Sequence, residues 1–382
     1  MVAASLVGLG TLAASGTAAT RPTAESGVRR TFVFNGEANN LNVYRAKRPF
    51  RHQRLVTNAK DDPDGLDINA QICFFPQDEG KKVRRFIAGE DTNQPDPPQG
   101  WGVFELRGRR IDKFQVHQIA KLTPTFQGSL DNAENYGCGF LADGRVLTSD
   151  IGDQASGAGD GQLIVWFPPF DTGIGGEGQV RYCKIDTALA TAGQIAVDGD
   201  DQVFVASARP PTAGIWRYSG PFPTSDTAEG GCGRTDATGA PLADAVQREL
   251  FIPATEPLAT PNAIVRRPDG GFYVSSVING VIAQYDDLGR YVRTVLSPPT
   301  GETLGPEPFS TGTPLGLGVT SQGTLFYADI GIVVDGADIG PGDHTGQVRR
   351  IRFDRDGEPV RPVTVAKDLG FPDGIGIVEL TE

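Results

Sequence analysis

The sequence predicts an all-β fold: a six-bladed β-propeller of four-stranded antiparallel blades, its last blade closed by strands from the N-terminus. Three observations predict it. A hairpin-like motif recurs near residues 69, 135, 193, 262, 315 and 373, a spacing of roughly 50 to 70 residues that suits one four-stranded blade per repeat. The composition is that of short strands joined by tight turns, with 50 Gly, 28 Pro, a single Met and 21% charged residues, and no stretch carries sustained helical periodicity with caps. The sixth motif arrives when the chain is almost finished, while unclaimed strand segments stand at the opposite end.

Each motif reads as a polar or small residue, a short apolar run, an Asp/Gly-type turn and a β-branched or aromatic run, which is hairpin chemistry. The runs Asn135 to Asp150, Gly193 to Ser207, Pro261 to Ser275 and Pro314 to Asp329 fit it closely, and Asn69 to Asp91 fits more loosely. Two further strands follow most motifs, such as Gln162 to Phe167 with Gln179 to Cys183, and Val281 to Tyr285 with Tyr291 to Val295. The motif at Phe371 to Ile377 lacks room for them. Thr31 to Phe34, Leu41 to Tyr44 and Arg54 to Val56 complete that blade from the N-terminus, leaving no long open sheet edge.

Residues 1–25 are set apart from a single domain over 26–382. Met1 to Ala19 is uncharged and rich in Ala, Gly, Ser and Leu, too short for a membrane span, and Thr17-Ala18-Ala19 offers a small-residue cleavage site. It reads as a signal peptide, with an unstructured leader as the alternative, so the expected location is secreted or periplasmic. Four cysteines with no C-x-x-C pair point to disulfides in such a protein rather than a zinc site. Position in the repeats pairs Cys73 with Cys138, on neighbouring inner strands, and Cys183 with Cys232, flanking one blade. The net charge of −12 repels a phosphate backbone, so nucleic acid is excluded as a partner. No later stretch is apolar enough to span a membrane, and a monomer is expected.

In a propeller the residue ahead of each innermost strand faces its five counterparts at the mouth of the central tunnel. Those positions hold Asn69, Asn135, Gly193 or Gln194, Asn262, Leu315 and Asp373, with Asp64 or Asp67 replacing Asn69 if the first register slips. Converging amide and carboxylate oxygens suit Ca²⁺, which takes about 6–8 oxygen ligands. Asn and Asp also begin strands because they form Asx-turns, so each residue alone has an ordinary structural explanation. Loops leaving the second strands, including 35–40 with Glu37 and 330–343, belong to the same face. Glu90, Asp91, Asp150, Asp153 and Asp329 stand at or just past those strand ends.

Other motifs do not hold. Gly173 to Gly178 spells a dinucleotide fingerprint, but a strand follows it where a helix is required. No nucleophile elbow, zinc-protease or P-loop motif is present, and no motif supports a quinone or flavin cofactor. His52, His117 and His344 are the only histidines, and none takes a mouth position. That leaves carboxylates, metal-bound water or no chemistry at all.

Pro261-Asn262-Ala263 and Pro372-Asp373-Gly374 resemble the Pro-Asn-Gly and Pro-Asp-Gly signatures of calcium-dependent six-bladed propellers of the regucalcin and gluconolactonase type. Diisopropylfluorophosphatase and the paraoxonases are more distant relatives of that group. The resemblance implies that Asn262 and Asp373 are metal ligands, that Asp373 also serves as base or nucleophile, and that Asn135 is a third ligand. Glu37 is the nearest match to the family's first ligand. The expectation is a Ca²⁺-dependent hydrolase of a lactone or other ester, with a small-molecule substrate at the funnel. The alternative is a non-catalytic binding or scaffold propeller carrying at most a structural ion.

Overall fold

A computed structural model describes residues 28–37, 40–56, 68–90, 100–123, 135–152, 161–173, 179–298, 312–335 and 338–381. The leader, Asp64, Asp67, Asp91 and Asp153 lie outside the described residues.

Strands are numbered in chain order. The N-terminal segment supplies β1 (Val28–Glu37), β2 (Asn40–Arg45) and β3 (His52–Val56). Blade one follows as β4 (Asn69–Phe74), β5 (Val83–Glu90), β6 (Gly100–Arg107) and β7 (Gln115–Leu122). Blade two is β8 (Asn135–Phe140), β9 (Val146–Asp150), β10 (Gly161–Trp166) and β11 (Tyr182–Leu189). Blade three begins with β12 (Ala192–Val197), β13 (Val203–Ser207) and β14 (Gly214–Ser219). Its connection then carries the short pair β15 (Arg234–Thr235) and β16 (Pro241–Leu242) before β17 (Gln247–Pro253) completes the blade. Blade four is β18 (Pro261–Arg266), β19 (Phe272–Ser276), β20 (Val281–Tyr285) and β21 (Tyr291–Leu296). Blade five opens with β22 (Pro314–Val319) and β23 (Leu325–Asp329), carries the separate hairpin β24 (Ile332–Asp335) and β25 (Asp338–Pro341), and closes with β26 (Gly346–Ile351) and β27 (Val363–Leu369). The final strand, β28 (Pro372–Thr381), is the inner strand of blade six, in the order β28-β1-β2-β3.

The N-terminal closure is therefore present as expected. β1 pairs with β28 from Val28 opposite Thr381 to Glu37 opposite Pro372. This corrects the placement of 35–40 as a loop: β1 continues through Asn35 and Gly36 to Glu37 because β28 offers pairing partners along its whole length. The fourth strand of blade two runs to Leu189 rather than ending at Cys183, since β10 pairs back as far as Gly161 opposite Leu189. Within 330–343 the chain forms the hairpin β24-β25.

The second strands β9, β13, β19 and β23 are buried along their full length, because each blade is covered on both faces. This explains their continuous rather than alternating hydrophobicity. The outermost strands β3 and β7 alternate. Turns between first and second strands use the predicted chemistry: Gly144 (φ 89) and Gly323 (φ 79) take left-handed conformations that cost glycine little. Six apolar clusters fill the six junctions between neighbouring blades. Blades six and one, for example, interleave Phe32, Phe34 and Leu41 with Ile72, Phe86 and Phe104.

Both expected disulfides form. Cys73–Cys138 ties the inner strands of blades one and two, and Cys183–Cys232 ties β11 to the insert between β14 and β17. That insert reaches from blade three onto the outer edge of blade two, where β16 pairs with β11 at Lys184 opposite Leu242. Beside the disulfide, Lys184 Nζ meets Asp236 Oδ2 at 2.5 Å, with side chains 0% and 1% exposed. Asp236 Oδ1 also accepts from the Thr238 and Ala240 N–H groups, so the carboxylate organises the hairpin turn.

Two outcomes follow from this architecture. Removing Val28–Val56 takes three strands from blade six, and the truncated chain should show no cooperative thermal transition by calorimetry. Lys184→Met strands a buried carboxylate and should cost about 3–5 kcal/mol in urea unfolding. Adding Asp236→Asn, which keeps the turn acceptor and removes the charge, should recover most of that loss.

Candidate functional site

Around the ring, the inner strands of neighbouring blades approach to backbone contact. A Cβ added at Gly374 would lie 1.5 Å from the Ala70 carbonyl oxygen, at Gly316 2.1 Å from that of Asp373, and at Gly193 2.2 Å from that of Asn262. At Gly137 the same atom would lie 2.3 Å from the Gly193 carbonyl oxygen. No side chain fits at this level.

Two glutamines cross beneath the mouth. Gln71 Oε1 accepts from the N–H groups of Cys138 (2.9 Å) and Ile195 (3.1 Å), while its Nε2 donates to Ile195 O at 3.2 Å. Gln194 clasps Leu317, accepting from its N–H at 3.0 Å and donating to its carbonyl at 2.8 Å. Blades one, two, three and five are thereby joined across the axis, and the mouth has a floor.

Above the floor, Asp373 is 7% exposed. Its Oδ2 accepts from Ala70 N–H at 2.7 Å and its Oδ1 from Gly374 N–H at 2.6 Å. Asn69 adjoins it: a Cβ on Gly36 would stand 2.8 Å from Asp373 Oδ1 and 3.1 Å from Asn69 Cα. Asn135 is buried, with Nδ2 donating to Gly100 O, and its Oδ1 has no hydrogen-bond partner among the described residues. Asn262 Nδ2 donates to the Tyr136 hydroxyl at 2.6 Å, so blade four meets the residue beside Asn135. Tyr136 in turn packs against an apolar group at the mouth: Val277, Leu315, Ile330 and Ile332. Leu315 thus contributes to a wall rather than a ligand ring.

Sequence reasoning missed two participants. Tyr136 follows a mouth asparagine directly, and its aromatic ring ahead of Gly137 was the available signal. Asn35 was assigned to a loop. It is fully buried in β1, donates from Nδ2 to Gly374 O at 2.9 Å, and its Oδ1 lacks a partner among the described residues. The alternation of Phe32 and Phe34 against Val33 and Asn35 carried that information.

Glu37 is brought to other partners. Its Oε1 accepts from Gly370 N–H at 2.8 Å, its Oε2 from Asn42 Nδ2 at 3.0 Å, and Arg54 stands 3.8 Å away. The same arrangement recurs at the ends of other second strands. Asp329 accepts from Thr313 N–H at 2.9 Å, and Ser276 from Ala259 (2.9 Å) and Thr260 (2.8 Å). In all three blades the inner strand begins with a proline (Pro372, Pro314, Pro261), so the last N–H groups before it need an acceptor outside the ladder. Blade three does this through a relay, with Thr212 Oγ1 accepting from Ala190 N–H and bonded to Ser207.

Of the other second-strand carboxylates, Glu90 is held by Gln118 (2.8 Å) and Lys121 (3.1 Å), and Asp150 accepts from Gly152 N–H at 3.0 Å. Burial pushes Asp329 above the usual carboxylate range; the N–H donors and Arg349 act in the opposite direction. The histidines lie away from the mouth, His52 on β3, His117 on β7 and His344 in a turn. Burial, with Arg54 nearby, pulls His52 below its ordinary value. Among the described residues no three His, Cys, Asp or Glu side chains group as a metal site, so a cation at the mouth would rest on Asp373 and asparagine oxygens.

No family model matches the chain, and no curated protein sequence matches it. Solved structures resemble it in fold. A luciferin-regenerating enzyme is 12% identical, covering 92% of each chain, with a TM-score of 0.49. Regucalcin from Agrobacterium tumefaciens strain C58, described as a calcium-binding protein, is 13% identical over 79% of this chain and 77% of its own, with a TM-score of 0.45. Virginiamycin B lyase from Staphylococcus aureus is 10% identical over 91% and 88%, with a TM-score of 0.42. At such identities the likeness is one of architecture.

The floor makes a direct expectation. Gly374→Ala should lower stability by about 1–3 kcal/mol through overpacking, measured by denaturant unfolding. Gly199→Ala, where an added Cβ meets nothing within 4 Å, should change it by a few tenths.

Proposed function

We propose that the tunnel mouth binds one Ca²⁺ and hydrolyses a lactone or other ester of a small molecule there. The observation that carries this reading is the state of the mouth asparagines. Asn135 is anchored through its amide nitrogen and keeps a buried oxygen without a hydrogen-bond partner among the described residues; Asn262 is likewise anchored through nitrogen. A buried oxygen left unpaired is costly, and a hard cation accepts such oxygens. The donor set fits in kind: one carboxylate, Asp373, with the amide oxygens of Asn69, Asn135 and Asn262. Glu37 is left outside this set because, besides its Gly370 and Asn42 donors, its carboxylate already faces the Arg54 guanidinium at 3.8 Å.

Bound Ca²⁺ would supply Lewis-acid polarisation of the ester carbonyl. Asp373, oriented by two backbone N–H groups, is the mouth residue able to act as base or nucleophile, since no histidine reaches it. Tyr136, Leu315, Val277 and Ile330 form an apolar wall suited to the hydrocarbon part of a substrate. The two disulfides agree with an oxidising compartment outside the cytoplasm, and no described helix is long and apolar enough to cross a membrane.

The competing reading is a non-catalytic binding propeller. It is favoured by the same apolar wall and by the use of Glu37 as a strand clamp. Calorimetry and hydrolysis assays separate the two. Calcium at a thousandfold excess over Kd adds about 4 kcal/mol of stability, so EGTA should lower the melting temperature of the wild type by several degrees. Asp373→Asn should respond much less and lose calcium-dependent turnover of lactones and aryl esters. Equal EGTA shifts in both proteins would move the ion elsewhere, and calcium binding without turnover would leave the binding module standing.

A further inference from the structure

The inner strands run from the mouth to the opposite end of the propeller, and there the ends of blades five, six and one surround a second pocket of about 230 Å³. Its walls include Phe74 and Phe75 at the end of β4, Val319 at the end of β22, and Ile377 of β28. Arg84, near the start of β5, also lines it. This volume is below the ~300–1,000 Å³ of drug-sized sites, so its occupant is small.

Arg84 is 4% exposed, and neither Nη1 nor Nη2 has a hydrogen-bond partner among the described residues. The acids around it are engaged elsewhere or face water. Asp78 is used by Arg85 and Lys81. Glu379 accepts from Ser321 N–H at 3.0 Å and from the Thr31 hydroxyl at 3.4 Å. Glu79 is exposed at the rim. A buried guanidinium with idle donors needs an anion, and its planar fork matches a carboxylate in bidentate geometry. Burial, with Arg109 nearby, lowers its proton affinity, and Asp78 acts in the opposite direction.

We infer that this pocket binds a small apolar monocarboxylic acid, its carboxylate on Arg84 and its hydrocarbon against Phe74, Phe75, Val319 and Ile377. The wall carboxylates Glu79 and Glu379 disfavour more highly charged anions such as phosphate. The site is separate from the mouth, and its test is run in EGTA so that calcium plays no part.

Phenylacetate titrated into the wild type should give saturable one-site binding by calorimetry. Phenylacetamide, of the same shape without the charge, should bind at least tenfold more weakly, and inorganic phosphate should not compete. Arg84→Met should lose at least tenfold in affinity for phenylacetate. Val319→Trp, which fills the pocket and leaves Arg84 in place, should lose it as well. Absence of saturable binding to the wild type, equal affinity for acid and amide, or unchanged affinity in either variant would overturn the assignment. Should Arg84→Met fail to fold, the comparison of acid with amide on the wild type still decides.

Discussion

Six strands that converge on one axis run out of room, and this crowding governs the middle of the molecule. Where the inner strands are nearest, glycine faces a neighbour's carbonyl at Gly137, Gly193, Gly316 and Gly374. Contact this close brings backbone amides within reach of side chains from other blades, which is how Gln71 and Gln194 can each satisfy both N–H and C=O of a distant residue. Each amide uses both its oxygen and its nitrogen in these bonds, as buried polar groups require. The tunnel thereby gains a polar floor beneath the mouth residues.

The same demand for satisfied backbone explains the rim. Three inner strands start at proline, whose missing N–H leaves the preceding amides to be received by Glu37, Ser276 and Asp329. A carboxylate and a hydroxyl do the same job, which marks it as structural. The short Pro-Asn and Pro-Asp signatures therefore carry two meanings at once. The proline and its clamp set where the strand begins, and the next side chain is delivered to the mouth. Glu37 belongs to the first of these roles and Asp373 to the second, although they stand on paired strands.

At the periphery, the stabilising devices are different in kind. The insert of blade three is held to blade two by a disulfide, a buried ion pair and the Arg145 guanidinium donating to the Phe222 and Pro223 carbonyls. Blade two thereby gains two short strands, and β16 covers part of the β11 edge, which blunts a surface prone to unwanted pairing.

The six-bladed ring, its closure by N-terminal strands and both cysteine pairings were legible in the sequence, because each follows from local patterning. Hairpin motifs repeat at a fixed interval, turn residues announce themselves, and equivalent positions in adjacent repeats must be neighbours in space. Asn69 and Asn135 begin their inner strands, while Asn262 and Asp373 stand second in theirs, behind Pro261 and Pro372, so all four lie just inside the strands rather than ahead of them. What each side chain touches was not legible. The diversion of Glu37 to Gly370 and the bridge from Tyr136 to Asn262 join residues far apart in the chain, and the oxygens of Asn35 and Asn135 and the terminal nitrogens of Arg84 are left without partners among the described residues. Periodicity determines which face a residue occupies; only the packed ring decides which hydrogen bonds remain to be made there, because burial removes the water that would otherwise make them.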